Sequence, residues 1–154
     1  MDKFGTSFQS VEGPTDGPNL KNARLVGVYI GANWSVPCQR FTPSLIEFYT
    51  KINEDIQQFE IIYIGMDENE EKYKETVTDM PWLFYDFKEF IKYQVYYEYK
   101  KHIQGKNKSN AIGVPCLLIL NPNNGQVITN QGRGTVEKEG QGAFEKWLTQ
   151  MSFK

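Results

Sequence analysis

The chain has 154 residues, and Lys and Arg total 17 against 19 for Asp and Glu, a formal net charge of −2. That reads as one compact domain and argues against a globally basic nucleic-acid binder. With 40% hydrophobic and 14% aromatic residues the chain is too apolar to remain disordered, and a chain of this size buries roughly two-thirds of its unfolded surface. Only two cysteines, Cys38 and Cys116, are present, which excludes a disulfide scaffold and a four-thiolate zinc site. No apolar run approaches the ~20 residues of a membrane span. The opening Met1-Asp2-Lys3-Phe4-Gly5 lacks the basic start and apolar run of a secretory leader. The expectation is a cytoplasmic protein with no membrane and no nucleic acid among its partners.

Residues 1–22 carry Gly5, Gly13, Pro14, Gly17 and Pro18 and little periodicity, which predicts an irregular lead-in to a domain spanning 23–154. Arg24 to Ala32 is a short apolar run suited to a strand buried on both faces. From Val36 to Ile56 the pattern turns helical, with Phe41, Leu45, Phe48 and Ile52 at spacings of three and four and Pro43 set to kink the helix. Phe59 to Gly65 is a second buried strand. Asp67 to Glu71 is an acidic helix start, and that helix should end before Met80-Pro81. Cys116 to Leu120 is a third strand, paired through the turn Asn123-Asn124-Gly125 with Gln126 to Asn130. Gly142 to Met151 is an amphipathic closing helix. Strand, helix, strand, helix, hairpin and helix describe an α/β layered domain with a mixed sheet.

The informative stretch is Trp34-Ser35-Val36-Pro37-Cys38-Gln39-Arg40-Phe41-Thr42-Pro43, directly after the first buried strand. It resembles the Trp-Cys-Pro-Pro-Cys-Arg-x-Phe-Thr-Pro signature of the tryparedoxin and nucleoredoxin branch of the thioredoxin superfamily. Leu45 to Tyr49 continues that branch's first helix. Met66-Asp67-Glu68 is similar to its segment after the second strand, Met80-Pro81-Trp82-Leu83 to its Met-Pro-Trp element, and Gly113-Val114-Pro115 to the loop that carries the cis-proline. Tyr29 stands where this branch has tyrosine and ordinary thioredoxins have a buried aspartate. The resemblance covers roughly residues 20 to 150 and implies a thioredoxin fold: a central, mostly parallel mixed sheet with helices on both faces.

The departure from the signature bears on function. The resemblance implies two cysteines at the helix start, the first an exposed thiolate that attacks a substrate disulfide and the second a resolving thiol. Ser35 occupies the first position, where a hydroxyl neither ionises at neutral pH nor forms a disulfide. Cys38 matches the second. Ser35 suits a helix N-cap, and Val36 also replaces the family's proline, which points to natural divergence of the loop. The expected function is therefore a non-catalytic thioredoxin-fold protein that binds protein partners through the old active-site groove of Trp34, Pro37, Val114 and Pro115. By fold analogy, one setting is a structural role in a cytoskeletal or axonemal assembly, with a cytoskeletal or ciliary location. The alternative is a thiol-disulfide oxidoreductase, either a monothiol acting through Cys38 or a Cys-to-Ser variant of an active enzyme.

No cofactor is expected. His102 is the only histidine, so a metal site is not expected either. Gly132-Arg133-Gly134 is read as a turn. Cys116 is expected to point into the apolar core and not to pair with Cys38. The segment Trp82 to Tyr99 holds nine of the chain's 22 aromatic residues within an aromatic-rich insertion at about 84–108. At 100° per residue, Phe87, Phe90, Ile91 and Val95 fall on one side of a helix. Tyr93, Tyr96 and Tyr99 recur every three residues on the other side, with Lys92, Lys100 and Lys101 keeping the ridge soluble. That predicts an exposed tyrosine face for a protein partner.

Overall fold

The computed structural model describes residues 2–104 and 113–152. A seven-stranded sheet in the order β2-β1-β5-β4-β3-β6-β7 forms the middle layer. Its strands are β1 (Phe8–Ser10), β2 (Gly13–Thr15), β3 (Leu25–Gly31), β4 (Phe59–Gly65), β5 (Leu83–Phe84), β6 (Cys116–Leu120) and β7 (Val127–Thr129). Among the described residues the α-helices are α1 (Pro18–Asn22), α2 (Val36–Ile52), α3 (Glu70–Val77), α4 (Ile91–Gln104), α5 (Gly132–Glu139) and α6 (Gly142–Ser152).

Every residue of β3 and β4 is buried, so each strand must be covered on both faces, and the period-2 alternation of side chains divides the core in two. Leu25 and Tyr29 of β3 face one layer with Ile61 and Tyr63 of β4, beneath Phe41, Leu45 and Phe48 of α2, Tyr73 of α3, Val136 of α5, and Phe144 and Trp147 of α6. Val26, Val28 and Ile30 face the opposite layer with Ile62 and Ile64, beneath Leu20 of α1, Val95, Tyr99 and Ile103 of α4, and Phe4. Helices therefore cover both faces, as expected. The sheet is mixed but not mostly parallel: only β3–β4 and β4–β5 run parallel, and the other four pairings are antiparallel.

The largest correction lies in residues 1–22. They are not an irregular lead-in: β1 and β2 form a hairpin that extends the sheet beyond β5, with Gln9 opposite Phe84. Phe4, Phe8 and Leu20 join the core, and the Tyr85 hydroxyl donates to the Phe4 carbonyl at 2.7 Å. Isolated apolar residues between glycines and prolines carry no periodic signal, so long-range pairing with β5 decides this segment. Gly132-Arg133-Gly134 is also not a turn but the first turn of α5. A Cβ on Gly132 would meet the Leu117 carbonyl oxygen at 2.5 Å, so a glycine is needed where this helix touches β6. Pro43 lies inside an unbroken α2. That helix stops at Ile52, where Asn53 turns the chain by accepting from the Gln58 and Phe59 amides, both at 2.9 Å.

At the far end of the sheet from the helix start of α2, Glu60 is only 3% exposed. Its Oε1 accepts from the Tyr49 hydroxyl at 3.0 Å and the Ile61 amide at 2.9 Å. Burial outweighs both bonds and pushes the carboxyl up to about 7 from a usual 4.5. Between those values the folded chain holds a proton that the unfolded chain has released. Stability therefore falls as pH rises through this window, by up to ~3 kcal/mol, and is level above it. Urea unfolding at about pH 5 and about pH 8 should show this fall in the parent and a much smaller one in Glu60→Gln; equal slopes would mean that Glu60 ionises freely.

Candidate functional site

The site is built where β3 ends and α2 begins. Gly31 closes β3 with its carbonyl held by the Met66 amide at 2.8 Å, and the chain turns through Ala32-Asn33-Trp34 to Ser35, whose own amide returns to the Ala32 carbonyl at 3.2 Å. Ser35 has extended dihedrals, and its hydroxyl oxygen accepts from the Cys38 amide at 3.3 Å. This is the N-cap predicted from sequence, and it satisfies one of the amides that a helix start leaves unpaired. Pro37 sits in the first turn, where no helical donor is required.

Asn33 locks this turn to the end of β4, an element of the site not legible in the signature. Its main-chain amide donates to Asp67 Oδ1, its side-chain amide donates to Glu68 Oε1 at 2.9 Å, and its side-chain oxygen accepts from the Glu68 amide at 3.0 Å. Gln39 Nε2 adds a bond to the Asn33 carbonyl at 3.0 Å. Asp67 also accepts from the Tyr63 hydroxyl at 3.2 Å and from Thr76 at 3.4 Å. Burial still holds its carboxyl above the usual range, against the pull of these donors and of the Lys92 charge. The acidic run Asp67 to Glu71 reads in the sequence as a helix start, but α3 begins at Glu70 behind the cap Asn69. Asp67 and Glu68 are thereby released to hold the Asn33 turn.

On this frame Trp34 remains 53% exposed, with its indole N–H donating to the Met66 carbonyl at 2.9 Å. Cys38 and Ser35 are buried, at 4% and 5% exposure. Below Cys38, Thr42 donates to the Cys38 carbonyl at 2.9 Å, so the 2.7 Å contact between Tyr29 and Thr42 is a bond donated by the tyrosine. The Tyr29 hydroxyl also faces Cys38, and burial raises its pKa far above the usual phenol value. The Val114–Pro115 peptide bond is cis. Cys116, next in the chain, is a free buried thiol like Cys38, and burial pushes it up to about 11. Cys38 lines a cleft of about 440 Å³ between α2 and α3, while Pro115 and Cys116 line a separate one of about 460 Å³ that includes Gln131 and Arg133 of the β7–α5 segment.

The tyrosine ridge does not form as predicted. Tyr93 is exposed, but Tyr96 is half-buried and Tyr99 is buried. The Tyr99 ring lies stacked with Phe4 at 6.2 Å, and its hydroxyl donates to the Gly125 carbonyl at 2.9 Å. The buried stripe of α4 runs Val95, Tyr99, Ile103, a spacing of four that fits a helix better than the spacing of three. Phe90 precedes the helix and points outward. The exposed aromatics of the segment are Phe90, Tyr93 and Tyr97, at 68%, 48% and 72% exposure. Lys92 is not a solubilising flank, being only 2% exposed. Its ammonium donates to the Phe87 carbonyl and lies 4.2 Å from the Phe87 ring and 5.3 Å from the Tyr73 ring. Residues 105–108 of the expected insertion lie outside the described residues. Among the described residues no group of His, Cys, Asp and Glu is placed to hold a metal ion, and no helix is long and apolar enough to cross a membrane.

Comparison with known proteins agrees with this geometry. The thioredoxin-like family model matches residues 22–127. Nucleoredoxin of Mus musculus is 38% identical over 123 residues, which cover 77% of this chain and 26% of that protein. Tryparedoxin of Trypanosoma brucei brucei is 30% identical over 125 residues, covering 80% of this chain and 79% of the relative. The chain thus spans about a quarter of the length of the nucleoredoxin (26%) but most of the tryparedoxin (79%). Among structures, tryparedoxin II from Crithidia fasciculata superposes with a TM-score of 0.74 at 28% identity, over 90% of this chain and 91% of that one. The strand–cap–helix site, the cis-proline and these matches lead to one conclusion: the chain belongs to the thioredoxin-like family, in its tryparedoxin and nucleoredoxin branch.

Proposed function

We propose that this chain is a redox-disabled member of its branch that binds a protein partner. The observation carrying this reading is Ser35 at the helix start, with its hydroxyl oxygen taken up by the Cys38 amide. Thiol–disulfide exchange starts from a thiolate at that position, and a capping serine supplies none. What remains is a surface. Trp34 is held half-exposed by Met66, and Val114 leads into the cis peptide bond outside any strand, an arrangement suited to receiving an extended segment of another protein. Phe90, Tyr93 and Tyr97 add exposed aromatic area, the residue class enriched where proteins meet. Two free thiols suit a reducing compartment such as the cytoplasm. A place in a cytoskeletal or axonemal assembly rests on fold analogy alone.

The test is reduction of insulin disulfides with dithiothreitol as electron donor. The protein should not exceed the rate of dithiothreitol alone. Turnover near that of a two-cysteine relative would overturn the reading. The second reading, a monothiol oxidoreductase acting through Cys38, is favoured by one observation, that Cys38 lines an open cleft. Under that reading a residual rate would appear and would vanish in Cys38→Ser.

A further inference from the structure

Helix α4 packs on the domain by the face that carries Val95, Tyr99 and Ile103. At 100° per residue, Phe90, Tyr93, Gln94, Tyr97 and Lys101 fall within about 60° of one line down the opposite face, and all five are exposed. The three aromatic residues follow one another at spacings of three and four, the repeat by which one helix packs along another. Phe90 continues the stripe ahead of the helix, its carbonyl accepting from the Tyr93 amide at 3.0 Å. Charge divides by end. Asp86, Lys88 and Glu89 leave the leading end net acidic, while Lys100 and Lys101 make the trailing end basic. Glu98, on one flank, is already paired with Lys3 at 3.3 Å. On the other flank lie Glu89 and Lys100, and the Lys100 ammonium stands 5.0 Å from the Tyr97 ring at the edge of the stripe. Among the described residues, Glu89, Lys100 and Lys101 enter no ion pair.

We propose that this stripe is the contact for a second copy of the chain, with the two α4 helices antiparallel about a two-fold axis. Self-complementarity chooses the occupant. Acid at one end, base at the other and rings between are matched by the same surface run in the opposite direction, whereas a uniformly acidic or basic helix would be attracted at one end and repelled at the other. A two-fold contact brings residue i to j and j to i, and in an antiparallel pair each flank meets the same flank of its copy. In the register that lays Tyr93 on the copy's Tyr97, Phe90 comes opposite the copy's Lys100, an ammonium over a ring. Glu89 then lies beside the copy's Lys100 and Lys101. Gln94 sits near the axis and meets itself, which an amide can do because it both donates and accepts. A parallel pair would instead set Glu89 on Glu89 and Lys100 on Lys100. Six rings cover roughly 1,000 Å², the low end of specific interfaces, so a Kd of about 10–500 µM is expected. Melts at ~1 µM therefore read the monomer. This inference rests on the reading of the exposed aromatics as a protein contact, and not on the loss of redox chemistry.

The test is sedimentation equilibrium of the full chain in dithiothreitol, from ~5 µM to ~1 mM. The average mass should climb with concentration toward twice that of one chain. Tyr97→Ser should weaken the association at least about tenfold. Glu89→Lys, and separately Lys100→Glu combined with Lys101→Glu, set like charges against each other at both ends of the pair, and each should weaken self-association by about tenfold. An equimolar mixture of those two charge variants should recover an affinity close to the parent's, because each supplies the sign that the other lacks. A melting curve at ~1 µM identifies any variant that fails to fold, and the measurement on the parent needs no variant. A parent that stays monomeric at ~1 mM overturns the proposal and assigns the stripe to a different protein. A dimer that Tyr97→Ser leaves intact, or charge variants that do not recover on mixing, overturns it as well, since another surface or register then holds the pair. Insulin turnover by the parent would overturn the redox-disabled reading and leave this one standing.

Discussion

On the redox-disabled reading proposed above, Ser35→Cys should yield a thiol–disulfide reductase, raising insulin turnover by about two orders of magnitude or more because a covalent route becomes available. The position is already prepared. Residue 35 has its side chain aimed at the Cys38 amide, so a sulfur there would sit at the positive end of α2 beside an unpaired donor, where thiolates are favoured. Cys38 follows three residues later at the start of the same helix, a separation compatible with the ~4.4–6.8 Å Cα spacing of a disulfide. The Asn33 lock and the Trp34–Met66 bond do not involve the Ser35 side chain and should persist. Loss of the serine cap should cost ~1 kcal/mol. The deciding measurement is the pH dependence of alkylation: the new thiol should titrate below the ~8.5 of an unperturbed cysteine. Titration at or above that value would show that the loop itself, and not one atom of it, has left family geometry.

Tyr99→Ala should destabilise the fold by ~3–5 kcal/mol, while Tyr97→Ala two positions earlier should change stability by no more than ~0.5 kcal/mol. The Tyr99 ring is 3% exposed, stacked with Phe4 and lying beneath the Lys3 ammonium at 5.3 Å, and truncation would also strand the Gly125 carbonyl that its hydroxyl serves. Tyr97 is 72% exposed, with the Lys100 ammonium 5.0 Å from its ring as its only cation contact among the described residues. Thermal melts separate the two, since ~1 kcal/mol corresponds to roughly 2–4 °C at this chain length. The combined Phe90→Ser, Tyr93→Ser and Tyr97→Ser variant should keep the parent's cooperative melt and lose partners in a pull-down from the source cell. A retained partner set with an intact melt would move the interface to the Trp34–Pro115 groove. Equal melting of Tyr99→Ala and the parent would mean that α4 does not rest on Phe4.

The elements that sequence reading located well are those whose pattern is local and continuous. β4 and β6 match their predicted bounds because both are unbroken apolar runs. Ser35 declared itself through the chemistry of a cap. The parts that were missed depend on contacts distant in sequence. Phe8 and Gln9 become a strand only because Phe84 is there to pair with, and Asn33 gains its role only when Asp67 and Glu68 arrive from the end of β4. Tyr99 was misplaced for a different reason. Aromatics crowd the segment so densely that two periodicities fit it, and burial of Val95 and Ile103 on the same stripe decides between them.

The N-terminal hairpin has a consequence for what the molecule can be joined to. Without β1 and β2 the short β5 would end the sheet with main-chain groups turned toward solvent, an invitation to any passing strand. With them, that border is a strand of three residues, Gly13–Thr15, whose middle residue Pro14 has no amide to offer. The sheet is thus sealed against lateral growth on that flank. A companion chain that associates in an orderly way must be met through side chains or at the opposite end of the molecule, and a crowded cell finds no open seam there from which to build fibres.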